Sequence, residues 1–334
     1  MSGRPSAPRL FAAACVLALL AGCLPLTRAP RDAQTRPPPP PGSVQLYAVG
    51  DIADCRRDPL GSAAARTAAL VPAGALVLGL GDMAYPYADA ATLARCYEPT
   101  WGVHRGGTLA VAGNHDYVDA STRDFRAYFG LDGVAVSDRY VAYARALGPD
   151  WALIVLDSHA QGGAMRAQRE WLERTLERLR PRSGTAAAAP PRCLAVAWHT
   201  PLFSSGWHRG SGRHMREFWA LLDGYGADLV LSGHEHFYEA FDALDAAGRR
   251  PRDGGGMRQF TVGTGGARLY GFWRPPYASR ARVLEYGVLE LSLEPARYAW
   301  RFVDVDGRIR DAGAAACRGA QKGATDVPSR AQLR

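Results

Sequence analysis

The stretch "ALVLGLGDMAYPYADA", residues 75–90, decides how this chain is read. An apolar run ends in Gly81, an aspartate follows at once, and Tyr85 stands three residues further on. A carboxylate at the end of a buried strand is costly unless it is paired or metal-bound. The same layout recurs along the chain. "VQLYAV" precedes Gly50-Asp51, and "TLAVA" precedes Gly113-Asn114-His115-Asp116. "WALIVLD" ends at Asp157, "CLAVAW" runs into His199, and "DLVLS" runs into Gly233-His234-Glu235-His236. Continuous apolar runs closed by glycine are typical of strands buried on both faces. Between them, "GAMRAQREWLERTLERLR" sets Leu172, Leu176 and Leu179 at helical spacing among Arg and Glu. Strands alternating with helices predict an α/β domain with right-handed crossovers.

After Met257 the pattern changes. "RQFTVGTGG", "YGVLELSLE" and "YAWRFVDVDGRIR" read as successive β segments, the last turning at Asp306-Gly307. They predict a second, more antiparallel sheet packed against the first.

The net charge of +8 raises the question of a nucleic-acid partner. Arginines are spread over the whole chain and Lys322 is the only lysine, which is a compositional bias rather than a basic stripe. No nucleic-acid partner is expected.

At the N-terminus, Arg4 and Arg9 precede "LFAAACVLALLAGC", too short an apolar run for a stable membrane span. Leu20-Ala21-Gly22-Cys23 resembles a bacterial lipobox. Residues 1–22 then read as a lipoprotein signal peptide, with cleavage before Cys23 and lipid on its sulfur. The protein is expected to be exported and lipid-anchored to a bacterial membrane, in the periplasm or at the cell surface. An ordinary secretory signal is the alternative, and it exports the chain as well. Residues 23–43 form a Pro-rich tether by composition. A folded domain over 44–317 follows, interrupted by a surface loop at 181–192, and 318–334 read as a disordered tail. Cys55, Cys96, Cys193 and Cys317 predict two disulfides in an oxidising compartment. Three connectivities are open; the preferred one joins Cys55 to Cys96 and Cys193 to Cys317, the second tying the last strands together.

Ligands of α/β sheets bind beyond the carboxyl ends of the strands. Here those ends carry Asp51, Asp82, Asn114, His115, His199, His234 and His236. Each alone is explained by a turn or a helix cap. Their repetition at strand after strand is not. Mixed oxygen and nitrogen donors without thiolates suit divalent metals and iron rather than structural zinc. So many donors suit two ions about 3.5–4 Å apart sharing a carboxylate, the clamp used for in-line attack at phosphorus.

Asp51, Gly81-Asp82, Gly113-Asn114-His115-Asp116, His199 and Gly233-His234-Glu235-His236 resemble, in order, the blocks of the calcineurin-like metallophosphoesterase superfamily over roughly residues 44–240. The resemblance implies an α/β fold, a four-layer α/β/β/α sandwich with two central mixed β-sheets. It makes 44–317 a metallophosphoesterase catalytic domain with a dinuclear centre at the strand ends. Many members place a metal-binding histidine in a GDxH first block, where this chain has Ala53. Its Gly81-Asp82-Met83-Ala84-Tyr85 is instead similar to the GDxxY block of purple acid phosphatases, whose tyrosinate binds ferric iron. "VAWH", ending at His199, is similar to their VxxH block. Ala53 departs from the glycine of their DxG block. The other reading of Tyr85 is an aromatic packed beside the loop.

What the resemblance implies for the site is specific. Asp51, Asp82, Tyr85 and His236 would hold a first metal, iron. Asp82 would bridge to a second, iron, zinc or manganese, completed by Asn114, His199 and His234. His115 would stay off the metals and face the phosphate. His208 has the spacing of a second active-site histidine, an exposed loop histidine being the alternative; His115 and His208 are the candidate catalytic pair. His214 is a weaker candidate, and His104 and His159 read as structural or surface residues. Trp207, Trp273 and Tyr277 read either as a substrate groove or as a cover for the core. The implied function is an exported phosphomonoesterase, acid phosphatase-like, in which metal-activated hydroxide attacks a small phosphoester in line and lower pH is favoured. A phosphodiesterase or nucleotidase on the same centre is the alternative, and a non-catalytic binding module is the third reading. The sequence carries no sign of oligomeric state.

Overall fold

A computed structural model describes residues 40–54, 56, 59–134, 137, 139–181, 190–208, 211–252, 255–275 and 278–319. The signal and lipobox residues, most of the tether, Cys55, Tyr277 and nearly all of the expected tail lie outside the described residues, as does most of the 181–192 loop.

In chain order the elements are β1 (Val44–Val49), β2 (Ala53–Asp54), α1 (Ala63–Ala68), β3 (Leu76–Gly79), β4 (Ala84–Tyr85), α2 (Ala90–Thr92) and β5 (Thr108–Ala110). Then come α3 (Arg123–Phe129), β6 (Tyr143–Ala146), β7 (Trp151–Val155), α4 (Gly163–Leu179), β8 (Cys193–Ala197), α5 (Arg216–Gly224), β9 (Leu229–Ser232) and β10 (Tyr238–Phe241). The chain closes with β11 (Arg258–Val262), β12 (Ser279–Val283), β13 (Gly287–Glu294), β14 (Arg297–Asp304) and β15 (Ile309–Ala316).

Two mixed sheets result. One runs β15-β14-β13-β1-β3-β5, the other β12-β10-β11-β9-β8-β7-β6, with β2 and β4 as a small parallel pair. The apolar strands work because both faces of each are covered. In the second sheet Leu153, Val155, Ala195 and Leu231 face the core shared with Leu78, Leu289 and Phe302 of the first. Their neighbours Ile154, Val196 and Val230 face the other way, onto Leu172 and Leu176 of α4 and Phe218, Trp219 and Leu222 of α5. On the far side of the first sheet, α1 and α3 contribute Ala64, Ala68, Phe125 and Phe129. The architecture is the expected four-layer α/β/β/α sandwich.

One expectation is corrected. The segments after Met257 do not build a sheet of their own. β11 joins the second sheet parallel to β9, whereas β13, β14 and β15 return to the first sheet as a meander whose β13 lies antiparallel to β1. The residues at these strands alternate as a half-covered antiparallel edge would, but which sheet receives them is a long-range choice. Gln45 and Ser292, joined side chain to side chain at 2.9 Å, mark the β1–β13 seam. No helix among the described residues is long and apolar enough to cross a membrane.

The Cys193–Cys317 bond is present, with 5.4 Å between the Cα atoms. It does not tie the last strands to each other. It joins the first residue of β8 to the residue after β15, and so links the two sheets. The loop it closes spans 124 residues, for which chain-entropy arguments give about 4–5 kcal/mol. Replacing both cysteines by alanine is expected to cost about 2–5 kcal/mol in a denaturant titration; a midpoint equal to wild type would refute that share.

Candidate metal centre

The carboxyl ends of β1, β3 and β5 in one sheet meet those of β8 and β9 in the other, and backbone bonds lace the junction. Gly50 N donates to Val262 O at 2.8 Å, and Asp51 N to Gly81 O at 3.0 Å. His234 N donates to Asp51 Oδ2 at 2.8 Å. Asp51, Asp82 and His234 all have left-handed backbone, with φ of 59°, 53° and 70°. That conformation costs of order 1–3 kcal/mol per non-glycine residue and persists where the surroundings enforce it, often at functional sites. Asp and His tolerate it better than most residues. At Gly113 the constraint is space: a Cβ there would lie 2.2 Å from Asp82 Oδ1.

Four expected donors surround one point. The Tyr85 hydroxyl lies 2.9 Å from Asp51 Oδ1, 3.0 Å from Asp82 Oδ2 and 3.1 Å from His236 Nε2. His236 Nε2 is itself 3.2 Å from Asp51 Oδ1. A second group adjoins the first through Asp82, whose Oδ2 is 3.4 Å from His199 Nε2. His199 Nε2 lies 3.3 Å from His234 Nδ1, which is 3.0 Å from Asn114 Oδ1. All seven residues expected to bind metal are thus brought together, in two groups that share Asp82. His115 stands beside them, with Nε2 4.0 Å from Asp82 Oδ2.

Ring orientations are set from outside. His199 Nδ1 meets Leu80 O at 2.7 Å, His236 Nδ1 meets Arg268 O at 2.8 Å, and His115 Nδ1 meets Pro86 O at 2.6 Å. Each bond places the N–H on Nδ1 and turns Nε2 toward the carboxylates, the arrangement in which metal-binding imidazoles are held.

The fit to cations follows from counting protons. The phenol has one hydrogen for three neighbouring acceptors. His234 presents Nδ1 to the cluster while its Nε2 is buried with no hydrogen-bond partner among the described residues. The protein alone leaves too many lone pairs facing one another. Burial pushes the Tyr85 phenol well above its usual range, and the Asp51 and Asp82 charges push it further. Burial would lower His199, but Asp82 beside it outweighs that and carries it up to about 10. Burial would raise Asp82, and His199 more than reverses the shift, holding the carboxyl below its usual range. Burial drives His234 well down, with His199 adding to it. A multivalent cation inverts this local logic and favours phenolate and neutral imidazole together. The oxygen and nitrogen donors fit such an ion.

His208 reaches the site through a loop. Its backbone N–H donates to Glu235 Oε1 at 3.2 Å, and its Nδ1 lies 3.3 Å from Glu235 Oε2 and 3.1 Å from the Tyr270 hydroxyl. Its ring is 4.5 Å from that of His234. Its side chain is 38% exposed on this loop, so it borders the cluster from the solvent side. His214 hydrogen-bonds Ser158 O at 2.6 Å, His104 is buried against Ala68 O, and His159 packs its ring on Tyr117. None of these three joins the cluster.

Three residues went unassigned in the sequence reading. Glu235 sits inside the Gly-His-Glu-His block but reads there as a spacer. Tyr270, whose hydroxyl donates to His234 O at 2.9 Å, carries no local signal. Asp116 was visible in its block, and its carboxylate accepts Asp82 N and Gly113 N at 2.7 Å each and Met83 N at 2.9 Å. It knots the β3 loop to the β5 loop.

Residues 45–238 match the family model described as calcineurin-like phosphoesterase. No curated protein matches the chain in sequence. Among solved structures, the purple acid phosphatase PPD1 from yellow lupin (Lupinus luteus) seeds shares 15% identity at a TM-score of 0.60, the match covering 82% of this chain and 54% of that one. The chain thus spans about half the length of the lupin protein. GAP50, described as the anchor in the inner membrane complex of Plasmodium, has 16% identity and a TM-score of 0.60, with 86% of this chain and 98% of that one covered. PhoD has 12% identity and a TM-score of 0.54, with 82% and 68% covered. At such identities the likeness is one of fold.

Asp116→Ala is expected to leave three buried N–H groups without an acceptor, at about 1–3 kcal/mol each. Denaturant unfolding should show a loss of at least about 3 kcal/mol; a loss below about 1 kcal/mol would show that Asp116 does not hold the loops.

Proposed function

Because the chain belongs to the calcineurin-like phosphoesterase family, we propose that it is a phosphomonoesterase of the purple acid phosphatase kind, exported and held at a bacterial membrane through a lipidated Cys23. Asp51, Asp82, Tyr85 and His236 would hold one ion, iron; Asp82, Asn114, His199 and His234 would hold the other, iron, zinc or manganese. One observation carries the choice of branch. The Tyr85 oxygen stands at hydrogen-bond distance from both carboxylates and from His236, which supports reading it as a ligand.

When bound, two cations supply a water of lowered pKa and stabilise charge on the transferred phosphoryl group. The remaining work falls to side chains of this chain. His115, its ring fixed by Pro86 O and packed 4.6 Å from the Tyr85 ring, offers Nε2 to a phosphoryl oxygen as charge builds there. As an imidazolium, with Nδ1–H toward the Glu235 carboxylate, His208 would give its Nε2 proton to the departing alkoxide and be left neutral. Tyr270 and Glu235 hold that ring between them. The reaction balances as hydrolysis: the P–O bond to the alcohol breaks, a P–O bond from water forms, and the alcohol leaves protonated.

The metal assignment is tested on purified, iron-loaded protein with p-nitrophenyl phosphate and its bis ester. The wild type should absorb in the visible, as a tyrosinate–ferric centre does, and should prefer the monoester. Tyr85→Phe should bleach the band at unchanged protein concentration; a colourless wild type with iron bound would sink the assignment. Export and anchoring are tested separately. Mass spectrometry of the mature chain should find an acylated Cys23 at its N-terminus, and an unmodified start elsewhere would refute it.

A further inference from the structure

Trp207 and Trp273 lie on the surface, 55% and 59% exposed. Their ring centroids are 4.3 Å apart at an interplanar angle of 71°. Two large apolar side chains paired in the open are poor surface design unless something binds there. Their position is not accidental, because the backbone that presents them is clamped. Ser204 Oγ donates to Glu235 Oε1 at 2.9 Å, and Ser205 gives both its N–H and its hydroxyl to Glu239, at 3.0 and 2.7 Å. Ser205 O in turn accepts the N–H groups of Trp273 and Arg274, at 2.9 and 3.1 Å. Gly206 lies so close to Glu235 that a Cβ would fall 2.1 Å from Oε2. Trp207 is therefore mounted on the loop that also carries His208, and Trp273, from the segment between β11 and β12, is tied to that loop through Ser205 O.

Location then gives the pair its partner. Trp207 is the chain neighbour of His208, about 3.8 Å away between Cα atoms. A residue that protonates the leaving oxygen stands on the leaving-group side of the phosphorus, so its neighbour borders the space into which the alcohol portion extends. Resting on the phosphomonoesterase reading above, we infer that the Trp207–Trp273 pair is a subsite for a planar aromatic leaving group, and that the substrates are phosphomonoesters of an aromatic alcohol or of a nucleoside. Indole rings stack on any planar π-face, which recognises the ring without reading its substituents. A polyol phosphate offers nothing for them to hold.

The experiment uses the full chain loaded with its metals and compares kcat/KM for adenosine 5′-monophosphate, phenyl phosphate and glycerol 2-phosphate. The first and last both leave as alkoxides, so their ratio reports recognition rather than leaving-group reactivity. Trp207→Ala is expected to lower that ratio about tenfold, as loss of one stacking partner does, and Trp207→Phe to restore most of it. Phenyl phosphate separates the two sources: a fall for it as well marks any planar ring, and a fall for the nucleotide alone marks a nucleobase. An unchanged ratio in Trp207→Ala and Trp273→Ala overturns the inference and leaves the phosphomonoesterase reading standing. Unchanged kinetics with lost binding to anionic vesicles overturns it too, and assigns the pair to a lipid surface. A metal-loaded wild type that hydrolyses none of the three esters instead fails the reading on which the inference rests.

Discussion

Asp82 is 2% exposed, and its amide and carboxylate are held from three strand ends. Its N–H is taken by Asp116, Oδ1 accepts the His115 N–H, and Oδ2 meets both the Tyr85 hydroxyl and the His199 ring. Those partners come from the β3 and β5 ends of one sheet and the β8 end of the other. A buried carboxylate so placed, with Asp51 for a neighbour, repels its own surroundings unless positive charge balances it. Protons on the histidines do so in the protein alone, and cations would do so better. The demand for a cation and the alignment of the two sheets are thus one constraint. Backbone strain at Asp51, Asp82 and His234 is the visible cost of satisfying it.

Much of this was legible in the sequence, for a physical reason. Strands covered on both faces write themselves as apolar runs, and their ends as glycine followed by a polar residue, so β1, β3, β5, β8 and β9 and the donors after them could be read locally. The destination of β13, β14 and β15 could not. Pairing β13 with β1 joins residues such as Leu46 and Leu291 across most of the chain, and alternation along a strand carries no information about which edge receives it. The disulfide behaved the same way: the partners were preferred correctly, while the sheets they join were not. Glu235 and Tyr270 escaped because their roles exist only once the 204–208 loop folds back over the block that contains Glu235.

Fold alone does not choose between enzyme and scaffold. The solved structures that share this fold include a plant phosphatase and a parasite anchor protein. What separates the readings in this chain is the state of the donor set. A scaffold that had lost its chemistry would be free to relieve three left-handed non-glycine residues and a crowd of buried lone pairs, since nothing would maintain them. Here every donor survives, and so do the carbonyl contacts that aim His199 and His236. The enzyme reading explains a strain that the scaffold reading leaves without cause.

Placement within the fold also divides the labour. Asp51, Asp82, His199 and His234 follow directly on core strands, where neighbouring backbone leaves little freedom, and groups that must meet a cation need such precision. His208, Trp207 and Trp273 ride on connecting segments, which bear variation more easily. Yet this segment is not loose: Glu235 and Glu239, both buried, tie it down through Ser204 and Ser205. Glu235 belongs to the same block as His234 and His236, so the residue that steadies the loop is itself steadied by the site. A shift of the β9–β10 turn would move His234 and His236 together with the 204–208 loop that Glu235 holds. The proposed proton donor and aromatic pair are therefore tied, through Glu235 and Glu239, to the turn that supplies His234 and His236 and to the strand that follows it.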